Sequence, residues 1–253
     1  MTTLTDHAPA TPLQRIVRVA KLHLANPWTT VVVPWMVVGI IFAANFAIWW
    51  IILSNLDPSE KVDAGEGLQW SGASMWIFVY MMVVAVQAIS ITFPFALGYG
   101  VTRRDYYLGS ALAFVGLSAM YAAGLTILSV IEEATGGWGL GGRMFTAAYY
   151  GDGAWPERLF IYFVAFLFFF FVGAAVASVW VRWRANGLTV FFVVLGFILI
   201  GSAALLTFTA SWYLVGNFFA GAGFLGSYAW SLVLTAIAAV TGFFILRRAT
   251  PRA

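Results

Sequence analysis

The residues able to do chemistry are few, and they crowd one short connection. Arg103, Arg104 and Asp105 stand together between two long apolar stretches, in a chain of 253 residues that is 62% hydrophobic and 9% charged. Two guanidinium groups beside a carboxylate suit ion pairing and recognition. Other candidates are thin. Glu132 and Glu133, at the end of an apolar stretch, can bind a cation or simply face solvent. His7 falls in the N-terminal tail and His23 on a helix ahead of the first long apolar run, so neither supplies a base to a buried site. The chain has no cysteine, which excludes disulfides, thiolate metal sites and cysteine catalysis. It has no GxxxxGK[ST] stretch, and its lysines are Lys21 and Lys61 alone, so it carries no Walker A nucleotide site. The expectation is a non-catalytic chain that binds no cofactor of its own.

These residues must be positioned by membrane helices. A mean hydropathy of +0.90, with 12 Trp and 23 Phe, lies far from the roughly 45–50% apolar usage of soluble domains. Six apolar runs are long enough to cross a hydrocarbon core as helices, over 31–53, 73–97, 108–130, 159–181, 188–208 and 225–246. None alternates apolar and polar residues as a barrel strand would. The fold expected is an all-α membrane protein with six transmembrane helices over residues 28–253, preceded by an interfacial amphipathic helix over 11–27 and a mobile tail over 1–10. A cleavable leader is not expected, since the first apolar run is too long for one and continues into a span.

Charge then orients the chain, because short loops rich in Lys and Arg stay in the cytoplasm. Arg15, Arg18, Lys21, Arg103, Arg104, Arg182, Arg184, Arg247, Arg248 and Arg252 fall on one side, leaving three of the 13 basic residues, Lys61, Arg143 and Arg158, on the other. Both termini are expected in the cytoplasm, with the protein multi-pass in a cell membrane. Topology accounts for the pI of about 9.3, so the basic excess gives no argument for nucleic acid.

In the N-terminal segment Thr11-Pro12 reads as a helix start, with Thr11 as N-cap. Leu13, Ile16, Val17, Ala20 and Leu24 then recur at helical spacing, opposite Arg15, Arg18 and Lys21. A basic amphipathic helix suits the lipid surface of the inner leaflet; the alternative is a topology signal only. Asn26-Pro27 ends it, and Trp28 and Trp35 are candidate interfacial anchors. Among the outer connections, 54–71 is acidic, 131–157 is glycine-rich, and 209–224 either dips into the membrane or lies at its surface.

Asn45 and Gln87 are the most polar side chains at depth. Each is read either as an interhelical hydrogen bond or as a contact to a polar part of a cargo molecule. In the charged connection, Thr102 can cap a helix whose first turn holds Asp105. That predicts one or two helical turns projecting from the membrane, with Arg103 and Arg104 for pairing and Tyr106 and Tyr107 for contact area. The competing reading is a positive-inside signal with an aromatic belt.

The stretch Leu97, Gly98, Tyr99, Gly100, Val101, Thr102, Arg103, Arg104, Asp105 resembles the cytoplasmic loop of ABC-2-type transporter permeases, many of which carry Leu-Gly-x-Gly-x-Thr/Ser-Arg-Arg after their second span. The layout is also similar: an interfacial helix, six spans, inner termini and a half-membrane interval before the last span. The resemblance covers nearly the whole chain, though more by layout than by motif, and the outer loops are smaller than in members that move polysaccharide or lipid. It implies a coupling helix around Gly100, Val101, Thr102, Arg103, Arg104, Asp105, Tyr106 and Tyr107, fitted to a groove of a separate ATP-binding subunit that holds ATP and magnesium. Two permeases, identical or paralogous, would work with two ATPases to export a hydrophobic or amphiphilic compound such as a drug, a peptide antibiotic or a lipid. The alternative function is a non-transporting membrane scaffold or sensor that docks a cytoplasmic partner.

Overall fold

A computed structural model describes residues 11–57 and 59–249; the tail expected over 1–10, and Arg252, lie outside them. Every element among these residues is helical. In chain order they are α1 (Pro12–His23), α2 (Val33–Asn55), α3 (Glu60–Leu68), α4 (Met75–Gln87), α5 (Phe93–Gly98), α6 (Arg103–Ala134), α7 (Trp155–Phe208) and α8 (Trp212–Arg247). π-Helical turns at Trp28–Val32 and Ala88–Thr92 lead into α2 and α5. Each comes just ahead of a proline, Pro34 or Pro94. Proline lacks an N–H and crowds the carbonyl four residues back, and a widened turn relieves both problems without ending the helix.

Among the described residues five helices are long and apolar enough to cross a membrane: Trp28–Asn55, Ala64–Gly98, Arg103–Ala134, Trp155–Phe208 and Trp212–Arg247. Six spans are expected from sequence, and the difference lies in α7. Its 54 residues absorb the fourth and fifth apolar runs and the short connection between them, but Arg184 breaks the helical path at φ 57°, ψ −150°. That backbone region is occupied almost only by glycine. The acidic connection over 54–71 contains α3. Most of 209–224 is helical as well, up to a second break at Gly223, φ 64°.

The core gathers where α4, α6 and the first part of α7 meet. Phe78 packs on Phe166 at 4.5 Å between ring centroids, and Phe114 stacks on Phe170 at 4.9 Å. Small residues set the closest approaches. Trp35 stacks on Tyr121 at 5.4 Å and lies over Gly124, so it is a packing residue, whereas Trp28 is exposed as an anchor would be. Beyond Arg184 no residue of α7 is buried. Val190, Phe197, Ile200 and Phe208 are among its exposed apolar side chains.

Candidate functional site

The charged connection is built from two helix-end devices placed back to back. α5 closes when the Val101 N–H donates to the Ala96 carbonyl and the Gly100 N–H to that of Leu97, with Gly100 at φ +81°. This pairing satisfies carbonyls left over at a helix end and needs a left-handed residue, which glycine supplies without strain. Two residues on, the Thr102 hydroxyl accepts from the Asp105 N–H at 3.1 Å and starts α6. The cap expected at Thr102 is present, but the helix it opens is no short knob: it is the first turn of the 32-residue α6.

Two kinds of residue separate here. Tyr99, at 76% exposure, and Gly100, Thr102 and Arg104 face outward, with Val101 and Arg103 half-buried. Asp105, Tyr106 and Tyr107 are buried at 4%, 0% and 5%. The two tyrosines therefore offer no outward contact area, and each is tied to another element instead. The Tyr106 hydroxyl donates to the Ala88 carbonyl and the Tyr107 hydroxyl to the Ala239 carbonyl, both at 2.6 Å. Arg103 reaches the Arg247 carbonyl at 3.3 Å.

Asp105 receives Arg15 of α1, Nε to carboxylate, at 2.7 Å. α1 begins with a full capping box between Thr11 and Gln14, which extends the N-cap legible in the sequence. Its apolar stripe turns to protein as well as outward: Val19 and Ala20 are buried, while Leu13 and Leu24 are exposed. A Cβ at Gly109 of α6 would lie 2.5 Å from the Val19 Cβ and 2.6 Å from the Ile16 carbonyl oxygen, so this glycine sets the crossing. At the far end of α1, His23 Nε2 lies 2.8 Å from the Ser110 hydroxyl. Burial pushes the His23 ring down to about 4. α1 is thus clamped to the start of α6, and Arg18 and Lys21 stay exposed.

Gln87 lines a cavity of about 340 Å³ shared by α1, α4 and α6. Asn45 is elsewhere: it donates to Ile41 in its own helix and accepts from Ser71 at 3.3 Å. The structure does not bring the two together.

Sequence reasoning missed the opposite end. Glu132, weighed there only as a solvated or cation-binding carboxylate, is 1% exposed. Its oxygens accept from Trp138 Nε1, from the N–H groups of Met144, Phe145 and Thr146, and from the Thr146 hydroxyl, at 2.7–3.2 Å. One carboxylate therefore folds the glycine-rich connection inward, where Met144, Phe145, Ala147 and Tyr150 are almost wholly buried. Glu133 pairs with buried Arg158 at 2.6 Å, and Arg143 with Asp152 at 2.9 Å. Among the described residues no group of three or more His, Asp or Glu is arranged to hold a metal. A usable signal was on view: an acidic pair closing a span that is otherwise uncharged beyond its first turn, followed after Ala134-Thr135 by Gly-Gly-Trp-Gly-Leu-Gly-Gly.

Compared with protein-family models, with curated proteins and with solved structures, the chain matches none of them.

Proposed function

We propose that the chain is the membrane permease subunit of an ATP-driven exporter of hydrophobic or amphiphilic compounds, paired with a second permease and served by two separate ATP-binding subunits. The observation that carries this reading is the connection between α5 and α6. Its exposed tip, Tyr99 to Arg104, rests on a base joined to α1 through Arg15–Asp105, to the turn after α4 through Tyr106, and to α8 through Tyr107 and Arg103. A partner that grips the tip displaces several helices at once, as a drive contact must. The partner supplies nucleotide and magnesium, since this chain has no phosphate-binding loop.

The break at Arg184 supports six crossings. It divides α7 into 155–183 and 185–208, about 43 Å and 36 Å at 1.5 Å per residue, each long enough for a core of about 30 Å. The charge asymmetry supports the reading with both termini cytoplasmic.

The test is co-purification with an ATPase subunit and measurement of its stimulated hydrolysis. The double change Arg103→Glu/Arg104→Glu is expected to abolish both association and stimulation; an intact, stimulated complex overturns the coupling assignment. A second reading, a scaffold or sensor that moves nothing, is favoured by the closed outer end built on Glu132. Hydrolysis-dependent flux of an amphiphile in liposomes separates the two.

A further inference from the structure

We propose that the cavity between α1, α4 and α6 is a binding site for an amphiphile with an uncharged, hydrogen-bonding head, reached from the half of the bilayer nearer the α5–α6 connection. Its role as a cargo site rests on the exporter reading above; binding itself does not.

The cavity has a mixed lining. Val83, Val84, Phe114 and Leu117 supply apolar surface. Tyr80 and Gln87 flank the two valines on the same face of α4, His23, Asn26 and Thr29 add further polar groups, and among the described residues no Asp, Glu, Lys or Arg lines the space. A charged head would enter a low-dielectric site without a counter-charge, at a desolvation cost that a neutral hydroxyl or amide escapes. The polar groups have capacity to spare. The Gln87 amide makes no hydrogen bond among the described residues. Asn26 uses its side-chain oxygen to accept from the Trp28 N–H at 3.1 Å, which leaves its amide hydrogens free. Tyr80 donates to the Thr29 carbonyl at 2.8 Å, and its oxygen can still accept.

Depth supports the same conclusion. Phe114 and Leu117 lie about 9–14 Å along α6 from Leu108, where its apolar stretch begins. At that level the backbone between His23 and Trp28 is not regular helix. Irregular backbone persists at hydrocarbon depth only against protein or a polar cavity. The apolar lining, Val83, Val84, Phe114 and Leu117, then receives the first methylenes of a chain whose remainder lies in lipid.

The experiment uses the full chain in phosphatidylcholine nanodiscs and three diazirine probes of one chain length: a monoacylglycerol, an alkyltrimethylammonium and a fatty acid. Labelled positions are mapped by mass spectrometry. The monoacylglycerol is expected to label 22–30, 80–92 and 114–117 about fivefold more densely than the exposed stretch 190–200, as one or two added hydrogen bonds would produce. An unlabelled excess should compete, and the two charged probes should show no enrichment. Gln87→Leu, similar in size but without the amide, is expected to lower the enrichment about threefold. Should that variant melt earlier than the parent, Val83→Trp fills the cavity from its apolar lining and is expected to have the same effect. Equal labelling by all three probes, or none of it concentrated at the cavity, overturns the proposal. Enrichment without ATP-driven flux leaves the site standing and removes the exporter reading; flux without enrichment does the reverse.

Discussion

The two ends of the helix bundle are held by opposite means. At one end a buried carboxylate, Glu132, gathers five donors from a loop 6–14 residues further along the chain, flanked by the ion pairs Glu133–Arg158 and Arg143–Asp152. At the other end the ion pair Arg15–Asp105, with the arginine half exposed, the His23–Ser110 contact and close packing at Gly109 join α1 to α6 beside a turn whose tip is open. A buried charge satisfied by many donors is costly to disturb, whereas a pair with one partner largely solvated contributes less. The Glu132 end is thus closed by a buried charge, and the α1 end mainly by packing.

The largest break in this contrast is expected from Glu132→Ala. It strands the donors that the carboxylate satisfies and should cost about 4 kcal/mol or more, enough to lose the folded glycine-rich loop. Thermal melting with fluorescence-detected size exclusion measures it, with Glu132→Gln falling between the two. A melting temperature unchanged in Glu132→Ala would make the closure an ornament.

Gly109→Val tests the clamp on α1. Its side chain meets the Ile16 carbonyl and Val19, and displacing α1 should cost about 2–3 kcal/mol. The chain has no cysteine, so a single Ala20→Cys reports undocking through its rate of thiol labelling.

Acid should loosen the same clamp. A free histidine titrates near 6.5 and the docked His23 ring near 4. Between those values the undocked helix takes up a proton that the docked one excludes, so docking weakens as pH falls through that window and is untouched above it. The expected loss is about 2 kcal/mol, read as faster labelling of Ala20→Cys at pH 4.5 than at pH 7.5. His23→Gln should flatten that response.

The smallest effect belongs to Arg15→Ala. Its side chain is 46% exposed, and removing it should cost no more than about 1 kcal/mol in docking. The same thiol readout separates it from Gly109→Val. An Arg15→Ala effect as large as that of Gly109→Val would mean that charge, not close packing, holds α1.

Much of the architecture was legible because it depends on neighbours in sequence. The helix start at Thr11-Pro12, the cap at Thr102 and the glycine turn at Gly100 are set within about five residues. Apolar runs longer than a bilayer is thick announce spans for the same reason. The candidate site was legible only in part. Tyr106 and Tyr107 are adjacent, so on a helix they point about 100° apart; both are buried because α1 and α5 close one side and α8 the other. The acidic pair marked the place of Glu132 but not its partners, since most of them are backbone N–H groups, which any residue at those positions would supply.

The sequence by itself determined a helical membrane chain, the places where its helices start, bend and stop, and the unequal sharing of charge between its ends. These follow from hydrophobicity, backbone preference and charge, each acting over a few residues. Tertiary structure alone decided that Asp105 meets an arginine 90 positions away, that Glu132 is a clasp, and that Gln87 opens on a cavity lined, among the described residues, by no charged side chain. Such contacts depend on which helix lies beside which, and apolar helix faces admit many neighbours until close-packed glycines and buried hydrogen bonds select one arrangement.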